Sequence, residues 1–302
     1  MCTPATLPFV SVIIPVFNDA QRLRGCLEAL VCQSYPRSCF EVVVVDNGSS
    51  DDPCAALAVL PTAQLANEAR PGSYAARNVG LALAVGSILA FTDSDCVPEP
   101  DWIARGVARL HASPGCGLVA GGITLFFHDP LRPTATELYE SVTAFPQQRY
   151  VERDHYGATA NLFTRREVFD LVGSFDASLT SGGDREWGQR VYAAGLELIY
   201  ADEVRVRHPA RRSFGELAHK ITRVTNGIER LRARRGGALP ALTKALAKDL
   251  LPPARKIRGI LTDRRLRGPA QRCQVIGVLL GLRYARAWAR VRAHTGTLRH
   301  VR

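Results

Sequence analysis

The sequence predicts an α/β fold, with a mixed, mainly parallel central sheet flanked by helices and a basic helical extension at the C-terminal end. Three observations carry this expectation. The first 100 residues alternate short β-branched runs with helical patterns, as the βα units of a parallel sheet do. Polar residues gather where the predicted strands end, which is the edge at which open parallel sheets bind ligands. Residues 204–302 hold 25 of the 39 Lys and Arg but 4 of the 28 Asp and Glu, a balance of +21 against −10 for residues 1–203. With 302 residues and 46% apolar content, the chain is long enough for one large core and an appendage. The expected division is a catalytic-sized domain at 1–214 and a basic helical extension at 215–302.

Taken in order, SVIIPVF (11–17) reads as the first strand and 20–34 as the first helix. The four consecutive valines of EVVVVDNGSSDD (41–52) suit a strand covered on both faces, followed by a polar exit loop. Residues 53–60 read as helical, QLANE (64–68) as a short third strand, 73–86 as a helix, and SILAFTD (87–93) as a fourth strand. In the second half, GGITLFF (121–127) reads as a strand, 158–176 as a strand followed by a helix and a turn, and 185–194 as a helix before a further strand. The tail has helical periodicity over 216–232, 240–262 and 272–292, interrupted by the glycine pair at 236 and the proline pair at 252.

Three predicted strand ends carry polar groups: Asn18 and Asp19, Asp46 and Asn47, and Asp93 and Asp95. Turn chemistry explains any one of these pairs and explains all three together less well. No GxGxxG follows the first strand and no GxxxxGK[ST] occurs, which speaks against the dinucleotide-binding and NTPase versions of this architecture. Gly72 and Ser73 stand at a predicted helix N-terminus, whose free N–H groups favour a phosphate, with Arg77 about one turn further in. Asp93 and Asp95 repel each other unless something cationic lies between them. A hard divalent ion, Mg²⁺ or Mn²⁺, shared by these carboxylates and a substrate diphosphate resolves that repulsion.

The series SVIIPVFND, VVVVDNGSSDD, RPGSYAARNVGLALAVGSILAFTDSD and SGGDREWGQRVYAAG resembles the inverting family 2 glycosyltransferases of GT-A (Rossmann-like) fold, over about residues 9–214. The resemblance implies a nucleotide-diphospho-sugar donor, first a UDP-sugar, and a divalent metal cofactor, Mn²⁺ or Mg²⁺. On it, Pro15, Val16 and Asn18 line the nucleoside pocket, Asp46 contacts the base, and Arg77 lies on the donor side. Asp93 contacts the ribose or the metal, and Asp95 ligates the metal. Asp184 corresponds to the catalytic aspartate, a general base that takes the acceptor hydroxyl proton as oxygen attacks the anomeric carbon. One departure stands out, because the motif commonly carries Glu immediately before that Asp and this chain has Gly183. Glu186 matches another acidic position and is the alternative base, and Asp184 also reads as a helix cap. His208 resembles the histidine that completes the metal or diphosphate site, although a histidine after a strand also reads as a structural hydrogen-bonder. Arg211 and Arg212 either bind diphosphate or begin the basic tail, Trp187 reads as packing before sugar stacking, and Asn161 is a candidate to orient donor or acceptor hydroxyls.

The eight cysteines have no metal-like spacing and read as reduced core thiols of a cytosolic protein. The longest apolar run of the tail, VIGVLLGL, is less than half of the ~20 residues that span a bilayer. On a helix over 272–292, Ile276, Leu280, Tyr284, Ala287, Trp288 and Val291 share one face and Arg272, Arg283, Arg286 and Arg290 another. Such a helix either lies on an anionic membrane surface, suiting a lipid-linked acceptor at the inner face of the cell membrane, or packs on the catalytic domain. Nucleic acid is not expected as a partner, since no reader motif and little aromatic interleaving accompany the basic residues. The expected function is sugar transfer to a hydroxyl of a polysaccharide, lipid-linked glycan or glycoconjugate. The alternatives are a non-catalytic sugar-nucleotide or membrane-binding module and a sugar-phosphate nucleotidyltransferase, which would want a Gly-rich basic loop where this chain has VFNDAQRL.

Overall fold

The structure, a computed structural model, describes residues 7–234 and 239–294. The glycine pair at 236 and Cys2 lie outside the described residues. The chain forms two compact units. One comprises residues up to Thr124 together with Phe145–His208, and the other Leu125–Ala144 together with the chain from Pro209 onward.

The first unit is built on βα repeats. β1 (Val10–Val16) leads to α1 (Ala20–Val31), β2 (Phe40–Asp46) to α2 (Pro53–Ala56), β3 (Gln64–Asn67) to α3 (Ser73–Leu83), and then comes β4 (Ile88–Thr92). These four strands are parallel, as the β-branched runs predict, and every residue of β1 is buried. After β4 come β5 (Val97–Pro98), α4 (Trp102–His111) and β6 (Cys116–Phe126). Next in the chain are α5 (Ala135–Thr143), α6 (Gln147–Asp154), β7 (Asn161–Arg165), α7 (Arg166–Val172), α8 (Gly183–Ala193) and β8 (Glu197–Pro209). Among the described residues the sheet has eight strands in the order β3-β2-β1-β4-β7-β6-β8-β5. β7 runs antiparallel to β4 and β6, and β5 antiparallel to β8, which makes the sheet mixed. Helix α3 approaches β1 so closely that a Cβ on Gly80 would stand 2.5 Å from Ile13 Cγ2, so glycine there sets the helix–sheet distance.

The second unit gathers α5, α9 (Phe214–Arg234), α10 (Leu239–Leu250), α11 (Ala254–Thr262) and α12 (Gly268–His294). Its core joins Val275, Val278, Leu279 and Leu282 of α12 to Leu138, Tyr139, Leu217 and Ile260. Here the expected basic face is corrected. Arg283 and Arg290 are buried, Arg283 donating to Leu251 O at 2.5 Å and Arg290 pairing with Glu229 and, at 2.7 Å, with Asp249. Carboxylates from α9 and α10 neutralise Arg290 and backbone carbonyls take Arg283, which a plot of one helix cannot anticipate. Ile276 and Ala287 turn inward as well, while Tyr284 and Trp288 are each 64% exposed and Leu280 and Val291 lie beside them. Among the described residues no helix is long and apolar enough to cross a membrane.

Candidate active site

The carboxyl ends of β1, β2 and β4 are tied together by their own polar side chains. Asn18, with φ +50°, accepts from the backbone N–H of Ser50 at 2.7 Å, and its own N–H donates to Ser49 Oγ at 2.9 Å. Asp46 accepts from Ser49 N–H at 3.0 Å, closing the turn after β2. Asn47 donates to the carbonyls of Glu68 and Arg70, and its Oδ1 accepts from Gly72 N–H at 2.6 Å. That bond holds Gly72 at φ +128°, a conformation that favours glycine, where the chain turns into α3 at Ser73. Asp19, which the resemblance does not use, accepts from Ser94 Oγ at 2.9 Å, and burial pushes its carboxyl up. Pro15 and Val16 are buried and close β1 at its carboxyl end, just before the Asn18 turn.

The two aspartates after β4 have different partners. Asp93 pairs with Arg77 at 2.5 Å, the guanidinium being 4% exposed. Arg77 Nε is buried without a hydrogen-bond partner among the described residues, an unmet donor of the kind that a bound anion satisfies. Asp95 faces His208, whose Nε2 lies 3.5 Å from Asp95 Oδ2 and whose ring packs on Phe145 at 4.8 Å. The two carboxylates thus have separate partners, a guanidinium for Asp93 and an imidazole for Asp95. The thiol of Cys96 joins Asp95 and His208 in a group whose donor atoms lie within 4.8 Å of one another. Burial pushes the Cys96 and Cys26 thiols up, with Asp95 and Asp93 acting in the same direction, so both are protonated. Cys26, Cys96 and Cys116 are the core thiols expected, whereas Cys32, Cys54 and Cys273 are exposed.

Helix α8 brings Asp184 to the same region. Gly182, with φ +84°, takes the cap position, so Asp184 is the second residue of the helix and not its cap. Its Oδ1 accepts from Arg185 N–H at 2.8 Å and from the Tyr74 hydroxyl at 3.2 Å. Burial pushes the Asp184 carboxyl up, against the pull of the Arg185 N–H, Arg77 and Tyr74, and Asp93 adds to the rise. A raised carboxylate is a stronger base, which suits proton removal. Glu186 is bound instead to Arg190 at 2.8 Å, an arginine that also donates to the carbonyl of Ser174 at 2.7 Å.

Trp187, Asn161 and Arg211 are engaged within the framework. Trp187 is fully buried, stacked on Phe169 at 4.6 Å, and its indole N–H donates to Gly173 O. Asn161 is fully buried too. It accepts from Trp102 Nε1 at 2.8 Å and donates to the carbonyls of Gly122 and Val204, so its amide locks strands and is spent before any sugar hydroxyl could use it. In the second unit, Arg211 pairs with the buried Glu140 at 3.1 Å, which also receives Lys220 at 3.0 Å. Arg212 is exposed.

Residues 11–173 match the family described as Glycosyl transferase family 2. The chain belongs to this family. Among curated glycosyltransferases it is similar to AglE of Haloferax volcanii, 42% identical over 246 residues that cover 78% of this chain and 80% of that one. Among solved structures, the mannosyltransferase PcManGT of Pyrobaculum calidifontis, in complex with GDP-Man and Mn²⁺, matches with a TM-score of 0.58 at 21% identity. It covers 99% of this chain and 78% of its own. GalNAc-T7, with UDP, GalNAc and Mn²⁺, matches with a TM-score of 0.53 at 20% identity over 68% of this chain and 45% of its own. These likenesses agree with the GT-A fold.

Within this family 2 glycosyltransferase, two site residues escape the sequence. Cys96 reads as one more core thiol, and Tyr74 reads as a residue of a helix's first turn, with nothing in the chain to say that it meets residue 184. The departure at Gly183 has a physical reason. A Cβ there would stand 2.8 Å from the Tyr74 ring.

Proposed function

We propose that the protein transfers a sugar from a nucleoside-diphosphate donor, first a UDP-sugar, to a hydroxyl of a saccharide or lipid-linked acceptor, with inversion. The observation that carries this reading is the convergence at one edge of the sheet of a buried arginine with an unmet donor, two separately partnered aspartates, a histidine and a raised carboxylate. Phosphate binding falls to the N-terminus of α3 and Arg77, while Asn18 and Asp46 face the nucleoside. Proton removal from the acceptor falls to Asp184.

The residues present fit a divalent ion. Asp95 offers a carboxylate and His208 an imidazole 3.5 Å apart, an oxygen and nitrogen set that suits Mn²⁺ as well as Mg²⁺. When bound, such an ion neutralises charge on the departing diphosphate. Asp93, already neutralised by Arg77, is the ribose contact or a second ligand. The complexes of PcManGT with GDP-Man and Mn²⁺, and of GalNAc-T7 with UDP and Mn²⁺, support a nucleotide donor and a divalent ion, and between them they leave the base open.

The test is a screen of nucleotide sugars with Mn²⁺ or Mg²⁺, reading nucleoside diphosphate released and the anomeric configuration of the product by NMR. Inversion with release supports the reading. Retention of configuration overturns it, donor binding without turnover over all acceptors marks a non-catalytic module, and pyrophosphate exchange marks a nucleotidyltransferase.

In this reading residues 1–214 carry catalysis, and residues 215–302 hold the enzyme on an anionic membrane at its cytoplasmic inner face. Exposed Tyr284 and Trp288 on α12, with exposed Arg255 and Arg258 on α11, support that attachment. Trp102 and Trp187 are fully buried, so Trp288 is the exposed one of the three tryptophans and a native reporter. Its emission is expected to shift to the blue with phosphatidylglycerol vesicles, less so with phosphatidylcholine or in high salt, and the shift disappears in Trp288→Phe. An unchanged spectrum together with no cosedimentation would retire the membrane partner.

A further inference from the structure

We propose that Tyr74 is the positioning residue for the base: its phenol holds the Asp184 carboxylate, and residue 183 is glycine because the Tyr74 ring fills the space beside it. The inference rests on the reading of Asp184 as the base. Tyr74 sits in the first turn of α3 and is 6% exposed, so its ring has few orientations available. The ring lies 5.8 Å from Phe175, and the Arg77 guanidinium carbon is 5.6 Å from its centroid. On the remaining side is the Gly183 backbone, where an added Cβ would meet Cδ2 and Cε2 at 2.8 Å and Cγ at 2.9 Å.

From that slot the hydroxyl donates to Asp184 Oδ1 at 3.2 Å, and the same oxygen accepts from Arg185 N–H at 2.8 Å. Among the described residues both hydrogen bonds of the carboxylate fall on Oδ1. Oδ2 is therefore the oxygen left to take a proton, and Tyr74 fixes which way it faces. A contact of 3.2 Å is longer than the roughly 2.8 Å usual for O–H···O, as catalytic hydrogen bonds are before the substrate complex tightens them.

The groups that face Asp184 are Tyr74 and Arg77 from α3, Asp93 after β4, Tyr150 from α6, Tyr156 before β7, and Arg185 on its own helix. Burial pushes the Tyr74 phenol well up, so it remains a protonated donor through neutral pH. Its bond favours the ionised form of Asp184, so removing the hydroxyl moves the Asp184 carboxyl further up.

The experiment compares Tyr74→Phe, Gly183→Ala, the double variant and Asp184→Asn, using the full chain and the donor found active in the screen. In Tyr74→Phe, kcat is expected to fall about ten- to a hundredfold, the scale of one hydrogen bond to a charged group. The KM and calorimetric affinity for the donor stay unchanged, and the acid limb of the kcat profile moves to higher pH. Gly183→Ala displaces the ring, lowers kcat likewise, and adds little on top of Tyr74→Phe. A Tyr74→Phe enzyme with unmoved acid limb and unchanged kcat overturns the inference, as does full additivity of the two substitutions. Full turnover in Asp184→Asn sinks the base assignment beneath it, whereas an inactive Asp184→Asn beside an unaltered Tyr74→Phe sinks the role of Tyr74 alone.

Discussion

Asp184→Asn is expected to lower transfer by about two to four orders of magnitude while the donor still binds. Asparagine keeps the shape of the side chain, and its oxygen can still accept from Arg185 N–H and the Tyr74 hydroxyl. What it cannot do is take a proton. Donor affinity should hold, because the groups proposed to bind the diphosphate, Arg77 and the N-terminus of α3, are untouched. Stability should hold as well. Burial raises the Asp184 carboxyl, so the stability linked to its protonated form is present at acid pH and lost as pH rises through the raised value. The neutral amide avoids that loss, and the melting temperature at neutral pH is expected to stay level or rise. Steady-state kinetics, donor calorimetry and a melting curve on the same preparation therefore separate lost chemistry from lost structure. In the wild type, activity should fall on the acid side at a pH above the ordinary aspartate range, because the base protonates early. Unchanged turnover in the asparagine variant would move the base elsewhere, with Glu186 next in line despite its engagement by Arg190.

The two halves of the fold differ in how readily they are read from the chain. β1 to β4 announce themselves because a parallel strand buried on both faces must be a continuous apolar run, and the ligand edge follows from the polar residues after each run. Asp93 and Asp95 are neighbours in sequence, so their repulsion is visible there. Their separate partners are not, because Arg77 reaches Asp93 across 16 residues and His208 reaches Asp95 across 113. The helices α4, α5 and α6 and the two-residue β5 fall outside the elements that the sequence predicts, and β6 begins five residues before its expected start. Asn161 shows the same limit at a single residue. Its polar type suggests a ligand, but Trp102, Gly122 and Val204 consume its hydrogen bonds from three separate parts of the chain. Arg283 and Arg290 read as a surface face until Asp249 and Glu229 meet Arg290 inside the second unit and the carbonyls at the end of α10 take Arg283.

Chelation of wild-type enzyme, and Asp95→Ala, are each expected to cost several kcal/mol of transition-state stabilisation, about two to four orders of magnitude in rate. The two losses should differ in reversibility, since added Mn²⁺ restores the chelated wild type but leaves Asp95→Ala inactive. Asp95 is the informative position because its neighbour is an imidazole 3.5 Å away, which needs no carboxylate to stay buried. The fold should therefore survive this substitution with little change in melting temperature. Asp93→Ala makes the contrast, because it strands the Arg77 guanidinium, 4% exposed, without its partner. Asp93 is itself a third exposed, so the cost is roughly 1–3 kcal/mol and appears as a lowered melting temperature with or without metal. If both aspartates served only to hold the metal, the two variants would lose Mn²⁺ response alike and keep equal stability. Indifference of the wild type to chelator, together with full activity in Asp95→Ala, would instead remove the ion from the reaction and leave Arg77 as the cation opposite the diphosphate.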